Sequence, residues 1–443
     1  FGRATKTGAD KRQNQRRIRS MSKDTRRNAV NPEENTIASP LDEIVRKGAL
    51  KMLTQALEVE IDSFLEKHQY ILDDKGNRIV VRNGYGKARR IVTGAGQLEV
   101  STPRIDDRIL DRHDERRFKS SIIPPYLRRT ANINELIPAL YLKGISTGDF
   151  TEALQAILGK DVTGLSAENI VRLKRVWEKE YEAWNKRDLS NECYVYIWVD
   201  GVYFNVRLDG DRQCILVIVG AKPNGKKEVV AVIDGFRESK ESWLSVTRDL
   251  KRRGLTISPK LAIGDGSLGF WAALNEEYPD TRHQLCWIHK TVNVLDKLPD
   301  SMQGRAKSMI HDIYLAPSKK DANIAFDKFV EEFGLKYPKA TECLTKDREN
   351  LLTFYDYPAE HWLHVRTTNP IESTFATVRL RTHKTKGCGS RIATLTMVFK
   401  LLLSAEKRWQ RLRGHKKVED VMNGVRFKDG VEAAEESLVA VTS

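Results

Sequence analysis

The 443-residue sequence has no apolar run of 18 residues, and its first residues show no basic, apolar and small-residue succession of the signal-peptide kind. These absences argue against a membrane-spanning or secreted chain. Cysteine is scarce: Cys193, Cys214, Cys286, Cys343 and Cys388 are scattered and odd in number, which suits reduced thiols in a cytosol better than a disulfide framework. Acidic charge is in deficit, with 60 Asp and Glu against 75 Lys and Arg, a formal net charge of +15. A neutral small-molecule enzyme has no need of such a balance, which points to a polyanion, most often nucleic acid, against the plainer reading of a basic surface. What is present is ordinary for a folded chain: 40% hydrophobic and 30% charged residues, with length for two to four domains. The chain opens on Phe1, and Met21 is a candidate natural start.

Within the first 27 residues ten Lys and Arg face two acids, so residues 1–36 read as a basic disordered arm. A helical and small-strand domain is expected over 37–115. Its helix starts with Ser39 as N-cap and Pro40 at the first helical position, and Ile44, Met52, Leu57, Ile61 and Phe64 keep helical spacing. The stretch "VRNGYGKARRIVTGAGQLEVSTPRID" reads as short strands broken by glycines, with basic residues for DNA or for packing. Over 116–190 the helical period returns, broken at Gly144 and between Gly159 and Gly164. Three helices with short turns suit a helix-turn-helix-like DNA-binding domain whose third helix, from Ser166, carries Asn169, Arg172, Lys174 and Arg175 to a groove. A plain bundle with a charged face fits nearly as well.

At residue 193 the period changes to 2. "CYVYIWVDG", "VYFNVRL", "CILVIVG" and "VVAVIDG" predict an antiparallel meander with turns at Asp209–Gly210 and Asn224–Gly225. A helix over about 240–253, the strand "KLAIGDG", a helix, the strand "RHQLC" and a helix from Trp287 follow. The order β-β-β-α-β-α-β-α is that of an α/β, ribonuclease-H-like mixed sheet. The catalytic domain is expected in two parts, 191–295 and 361–415, separated by an all-helical insertion over 296–360, with a C-terminal tail over 416–443.

Three acids stand out by position: Asp200 and Asp265, each just past a buried strand, and Glu372 in the first turn of a later helix. Hard oxygen ligands on separate elements are what Mg2+ needs, and two such ions about 3.5–4 Å apart clamp the attacking and leaving oxygens of a phosphoryl displacement. Singly, each has a plainer reading. The aspartates suit turn caps, and Glu372 suits a capping box with Asn369 as N-cap and Pro370 at the first helical position. Together, in one fold order and a basic chain, they favour a metal site. Arg379 lies seven residues after Glu372, on the same helical face, where a cation binds phosphate. Residues 373–417 hold twelve Lys and Arg against one acid, so Arg381, Lys384 and Lys386 suit a DNA backbone.

"VDG" at Asp200, "GDG" at Asp265, "CWIH" at Cys286–His289 and "RTTNPIESTFATVRLRT" at Arg366–Thr382 together resemble the Mutator-type DDE transposases of bacterial insertion sequences. "RNGYGKARR", "TPRID" and "LYLKGIS" extend the resemblance to roughly residues 40 to 410. It implies a catalytic and metal-binding triad of Asp200, Asp265 and Glu372, spaced by 65 and 107 residues, with two Mg2+ ions for which Mn2+ substitutes. It implies binding of terminal inverted repeats, cleavage that frees a 3′-OH, attack by that hydroxyl on double-stranded target DNA, and a homodimer holding two ends. The setting implied is a bacterial cytoplasm, at the nucleoid, with no membrane partner. The family commonly carries Ala where this chain has Pro370. Cys286 and His289 match the family's Cys-x-x-His pair, which is half a zinc site; His289 alternatively contacts DNA near the scissile phosphate, orients an acid, or simply packs. Trp362 and His364 read as stacking or packing residues. The alternatives are a structure-specific nuclease on the same fold and a non-catalytic DNA-binding regulator.

Overall fold

The computed structural model describes residues 39–433 apart from 109, 111–113, 115–116, 144, 146–148, 159–166, 207–211, 236, 267–268 and 385–389. The basic arm, the helix start at Ser166, the Asp209–Gly210 turn, Lys386 and Cys388 lie outside the described residues. Those described fall into two compact units, one within Phe1–Asn134 and Leu154–Val162, the other within Glu135–Ala153 and Thr163–Ser443.

In the first unit, α1 (Pro40–His68) starts as the sequence predicts: the Ser39 hydroxyl accepts from the Leu41 N–H at 3.2 Å, and Pro40 occupies the first helical position. Its buried stripe is narrower than the spacing suggests. Leu57 and Ile61 are buried, whereas Ile44 and Met52 are each 66% exposed. Four short strands follow, β1 (Val81–Tyr85), β2 (Arg89–Thr93), β3 (Gly96–Val100) and β4 (Pro103–Asp106), paired β1 with β4 and β2 with β3. Leu57, Ile91, Leu98, Val100 and Ile123 close a small core over them.

Further along come α2 (Ala131–Leu142), α3 (Phe150–Leu158) and α4 (Ala167–Asn185). The second unit is built on a five-stranded mixed sheet of β5 (Tyr196–Asn205), β6 (Arg212–Ala221), β7 (Lys227–Gly235), β8 (Leu261–Gly264) and β9 (Arg282–Leu285), in the order β7-β6-β5-β8-β9. The first three strands pair antiparallel, and β8 joins β5 and β9 in parallel. Helices α5 (Lys240–Arg252), α6 (Phe270–Glu277) and α7 (Trp287–Leu295) alternate with the later strands in the expected order.

The strand that carries Asp200 is longer than its sequence suggests. "CYVYIWVDG" and "VYFNVRL" form a single strand, so Asp200 lies inside β5, opposite Val217 on β6. Gly201 reads as a terminator, yet β6 offers an unbroken partner, and Gly201 and Val202 pair with Leu216 and Ile215. Satisfying every ladder bond outweighs the weak strand preference of one glycine.

The strand alternation sorts side chains onto two cores. Val199, Leu216 and Ala262 face α5 and α6 through Trp243 and Phe270. Tyr196, Trp198, Val202, Leu261 and Ile263 face the other way. There they meet α7 and a helical run of α8 (Asp300–Tyr314), α9 (Lys319–Phe333), α10 (Pro338–Thr345) and α11 (Arg348–Leu351). The same core takes in α12 (Trp362–Val365), α13 (Asn369–Lys384), α14 (Arg391–Glu406) and α15 (Lys417–Met422), with Val418, Val421 and Phe427 buried in it. Helix α4 lies on α14, where the Phe399 ring meets Tyr181 and Trp184 at 5.4 and 4.9 Å.

Candidate active site

Strands β5 and β8 run parallel with Trp198 opposite Ile263. Asp200 and Asp265 each follow by two residues. Neighbouring strands lie about 4.8 Å apart, and a step of two returns to the same face, so Asp200 continues the line of Tyr196 and Trp198 toward the core that holds α13. Asp200 is 7% exposed and accepts the Gly201 N–H at 2.9 Å. Asp265 is partly exposed, just past the end of β8, and its carbonyl accepts the Trp271 indole N–H at 2.7 Å.

A fourth acid, which the sequence reading missed, closes on this pair. A Cβ on Gly201 would stand 2.0 Å from Glu238 Oε1, so the glycine after Asp200 makes room for the Glu238 side chain. Glu238 sits between β7 and the Ser239 cap of α5 and reads in sequence as an ordinary loop acid. The only sequence signal is a glycine inside a strand, which marks close approach.

Glu372 arrives on α13. The expected capping frame is off by one: the helix begins at Asn369, and the Thr368 carbonyl accepts from Ile371 and Glu372 at 2.9 and 3.1 Å. Thr368 therefore holds the cap position, and no Asn369-centred capping box is needed to start the helix. Pro370 falls at the second helical residue, where a missing N–H leaves no intrahelical bond unmade. Thr368 is fully buried. Its hydroxyl donates to Glu372 Oε1 at 2.7 Å, and both that hydroxyl and the Thr368 N–H lie 3.4 Å from Cys286 Sγ.

The start of α7 is tied to both sides of the site. The Cys286 N–H donates to the Gly264 carbonyl at 2.8 Å, next to Asp265, and the Trp287 N–H donates to the Arg366 carbonyl at 3.0 Å, just ahead of α13. One turn on, His289 places Nε2 3.6 Å from Glu372 Oε1. His289 thus stands beside the acid, and its Nδ1 is buried with no hydrogen-bond partner among the described residues.

Electrostatics bind these groups into one site. Burial raises the Asp200 carboxyl to about 7, the charges of Glu238 and Glu372 add to the rise, and His289 with the Gly201 N–H opposes it. Burial and the charge of Asp265 raise Glu238. The Cys286 sulfur, then the charges of Asp200 and Asp265, hold the His289 imidazole up at about 9 against its own desolvation. Asp200, Asp265 and Glu372 offer hard oxygens from separate elements, the donor set that Mg2+ takes. A crowd of carboxylates of which one is pushed toward neutrality is an environment a divalent cation relieves.

Of the basic residues expected on DNA, Arg172 and Arg175 are exposed on α4 and Arg379 on α13. Lys174 is half-buried, with its ammonium 5.7 Å from the Tyr141 ring centre. The side chains of Arg381 and Lys384 lie outside the described residues. Part of the basic run over 373–417 is internal bracing: Arg391 pairs with Asp234 at 2.5 and 3.0 Å, Lys400 with Glu180 at 2.7 Å and Lys417 with Glu360 at 2.7 Å. Trp362 packs on Phe354 and Tyr355. His364, pushed down to about 4 by burial, accepts the Arg413 N–H through Nε2 at 3.0 Å.

The family described as "Transposase, Mutator family" matches residues 21–412. The transposase for insertion sequence element IS6120 of Mycolicibacterium smegmatis is 52% identical over 298 residues, 67% of this chain and 92% of that protein. The transposase for insertion sequence element IST2 of Acidithiobacillus ferrooxidans is 49% identical over 282 residues, 64% of this chain and 95% of that protein. A more distant relative, the transposase for insertion sequence element IS905 of Lactococcus lactis, is 26% identical over 78% of this chain and 84% of its own length.

Proposed function

The chain belongs to the Mutator family of transposases, and we propose that it is a DDE-type enzyme of ribonuclease-H-like fold that cuts the ends of its element and joins the freed 3′-OH to target DNA. Asp200, Asp265 and Glu372 are the proposed catalytic and metal-binding residues. The observation that supports this reading is the register of β5 and β8, in which Trp198 pairs with Ile263 two residues ahead of Asp200 and Asp265. When bound, Mg2+ or Mn2+ ions, two per site, supply Lewis-acid activation of the attacking hydroxyl and shielding of the phosphate charge.

The chain's own residues set the rest. Asp200 and Asp265 define one wall of the site, and the first turn of α13 defines the other. Thr368 fixes the rotamer of Glu372 through its hydroxyl, and His289 adds a cation beside the same carboxylate. Burial of Asp200 keeps bulk water from screening these charges. No side chain is assigned as general base.

For DNA, Arg172, Lys174 and Arg175 on α4 and Arg379, Arg381, Lys384 and Lys386 along α13 and beyond it are the proposed phosphate contacts, with residues 116–190 acting as a helix-turn-helix-like reader of the terminal inverted repeats. His289 sits close enough to the acids to approach the scissile phosphate. Two ends must be held together, which favours a homodimer, and the work is done at the bacterial nucleoid in the cytoplasm.

Incubation of the protein with element-end duplexes, target DNA and Mg2+ tests the reading. Joined products carrying the element's 3′ end are expected. Cleavage without joining would make the protein a nuclease, and binding with neither would make it a regulator.

A further inference from the structure

We propose that Cys286, His289 and Glu372 form a second metal site, selective for a thiophilic divalent cation of the zinc class, whose occupancy withdraws Glu372 from the aspartates and shuts the catalytic centre down. The inhibitory half rests on the triad reading above. The site itself does not.

The Cys286 sulfur, a His289 ring nitrogen and a Glu372 carboxylate oxygen all lie within 4.8 Å of one another. Ligands around a tetrahedral zinc ion stand roughly 3.3–3.6 Å apart, given Zn–S near 2.3 Å and Zn–N near 2.0 Å. His289 Nε2 and Glu372 Oε1, at 3.6 Å, already have that spacing, and the sulfur needs only a small approach. The three ligands come from two elements that Thr368 fastens together, its N–H reaching Cys286 Sγ and its hydroxyl reaching Glu372 Oε1. Such an outer layer of hydrogen bonds is what orients ligands in metal sites. The cysteine backbone is fixed in turn by the Gly264 carbonyl.

Chemistry separates this set from the carboxylates. Mg2+ avoids thiolate, whereas zinc-class ions take sulfur and imidazole readily. Glu372 is the one side chain both sets need. Cys286 is 1% exposed, so its sulfur reaches an ion only from inside the site, where His289 and Glu372 are.

The test uses Co2+ as a spectroscopic stand-in for zinc on the full chain without Mg2+. A near-ultraviolet thiolate-to-cobalt band at one ion per chain is expected. It should vanish in Cys286→Ser and need at least about tenfold more Co2+ in His289→Ala, while Asp200→Asn and Asp265→Asn keep it. In the cleavage assay Zn2+ should inhibit at fixed Mg2+, and excess Mg2+ should relieve the inhibition. No band from folded protein, or a band unchanged by Cys286→Ser, overturns the site. A Cys286-dependent band with undiminished cleavage under Zn2+ overturns the inhibitory role. If Asp200→Asn still cleaves while the band depends on Cys286, the triad reading fails and the metal site stands.

Discussion

Asp200 within β5 and Asp265 just past the end of β8, 65 residues apart in the chain, each follow by two residues the paired Trp198 and Ile263 of these adjacent parallel strands. This register makes them a unit.

Replacing any one acid, as Asp200→Asn, Asp265→Asn or Glu372→Gln, should lower cleavage and joining by about a thousandfold or more, since metal stabilisation of a transferring phosphate is worth several kcal/mol. Affinity for element-end duplex should stay within a few-fold of wild type, because the proposed phosphate contacts lie elsewhere. Band-shift and cleavage assays on the same preparations check both halves, and a Glu372→Gln protein with wild-type joining would leave Glu372 only a structural role.

Without metal, stability should fall as pH rises. Asp200 titrates near 3.9 when unfolded and near 7 when folded, so between those values the native state holds a proton that the unfolded chain has released, and stability declines across that window. His289, held at about 9, contributes stability that is complete below about 6.5 and lost as pH rises through 9. In EDTA the Tm should therefore drop from pH 5 to 9, and Asp200→Asn should flatten the lower part and melt roughly 5 °C higher near pH 7.5. Mg2+ should narrow or reverse the gap by favouring the native wild-type site. A mutant that melts lower than wild type in both buffers would mean that the Asp200 carboxylate is structural, through its bond from the Gly201 N–H, and not strained by its neighbours.

Gly201→Ala should cost about 1–3 kcal/mol, because the new methyl overlaps the Glu238 carboxylate and the side chain must leave its place. Adding Glu238→Ala should recover most of that loss, and the double-mutant cycle measures the coupling. Additive effects would show that Glu238 does not fill the space beside Gly201 in solution.

Thr368→Val keeps the shape of a fully buried side chain and removes the hydroxyl that aligns Glu372. Activity should fall about 10–100-fold with a small change in Tm, and Thr368→Ser should restore most of it. Equal losses in Val and Ser would point to packing instead of alignment.

Removing Arg172 and Arg175 together should weaken duplex binding and lower the slope of log affinity against log salt by roughly 1.8, about 0.9 for each phosphate that is no longer neutralised. An unchanged slope would take α4 off the DNA.

Much of this is legible in the chain. Ser39 and Pro40 announce α1, the switch to period 2 at residue 193 announces the sheet, and the order of strands and helices after it is readable from the alternating periods, with Ser239 and Gly254 bounding α5. The strand containing Asp200 reads as ending too early because a glycine's local preference is weak beside a full ladder of paired partners on β6. The α13 cap reads one residue late because both Thr368 and Asn369 are good capping residues, and only burial of Thr368 between Cys286 and Glu372 decides between them. Glu238 is invisible for a different reason: nothing local marks an acid whose neighbour is 37 residues back along the chain. Side-chain partnerships set by tertiary packing leave no period to read.

The helical run between α7 and α13 has a consequence for the order in which the protein becomes dangerous to DNA. Synthesis at about 5–20 residues per second puts roughly 5–20 s between the emergence of Asp265 and that of Glu372, 107 residues later. Throughout that interval a nascent chain carries both aspartates without Glu372, so on the proposed triad a ribosome that stalls or a message that ends early yields only an unarmed fragment. If Glu372 completes the proposed triad, placing it behind the helices makes a completed core the safety catch on DNA cutting.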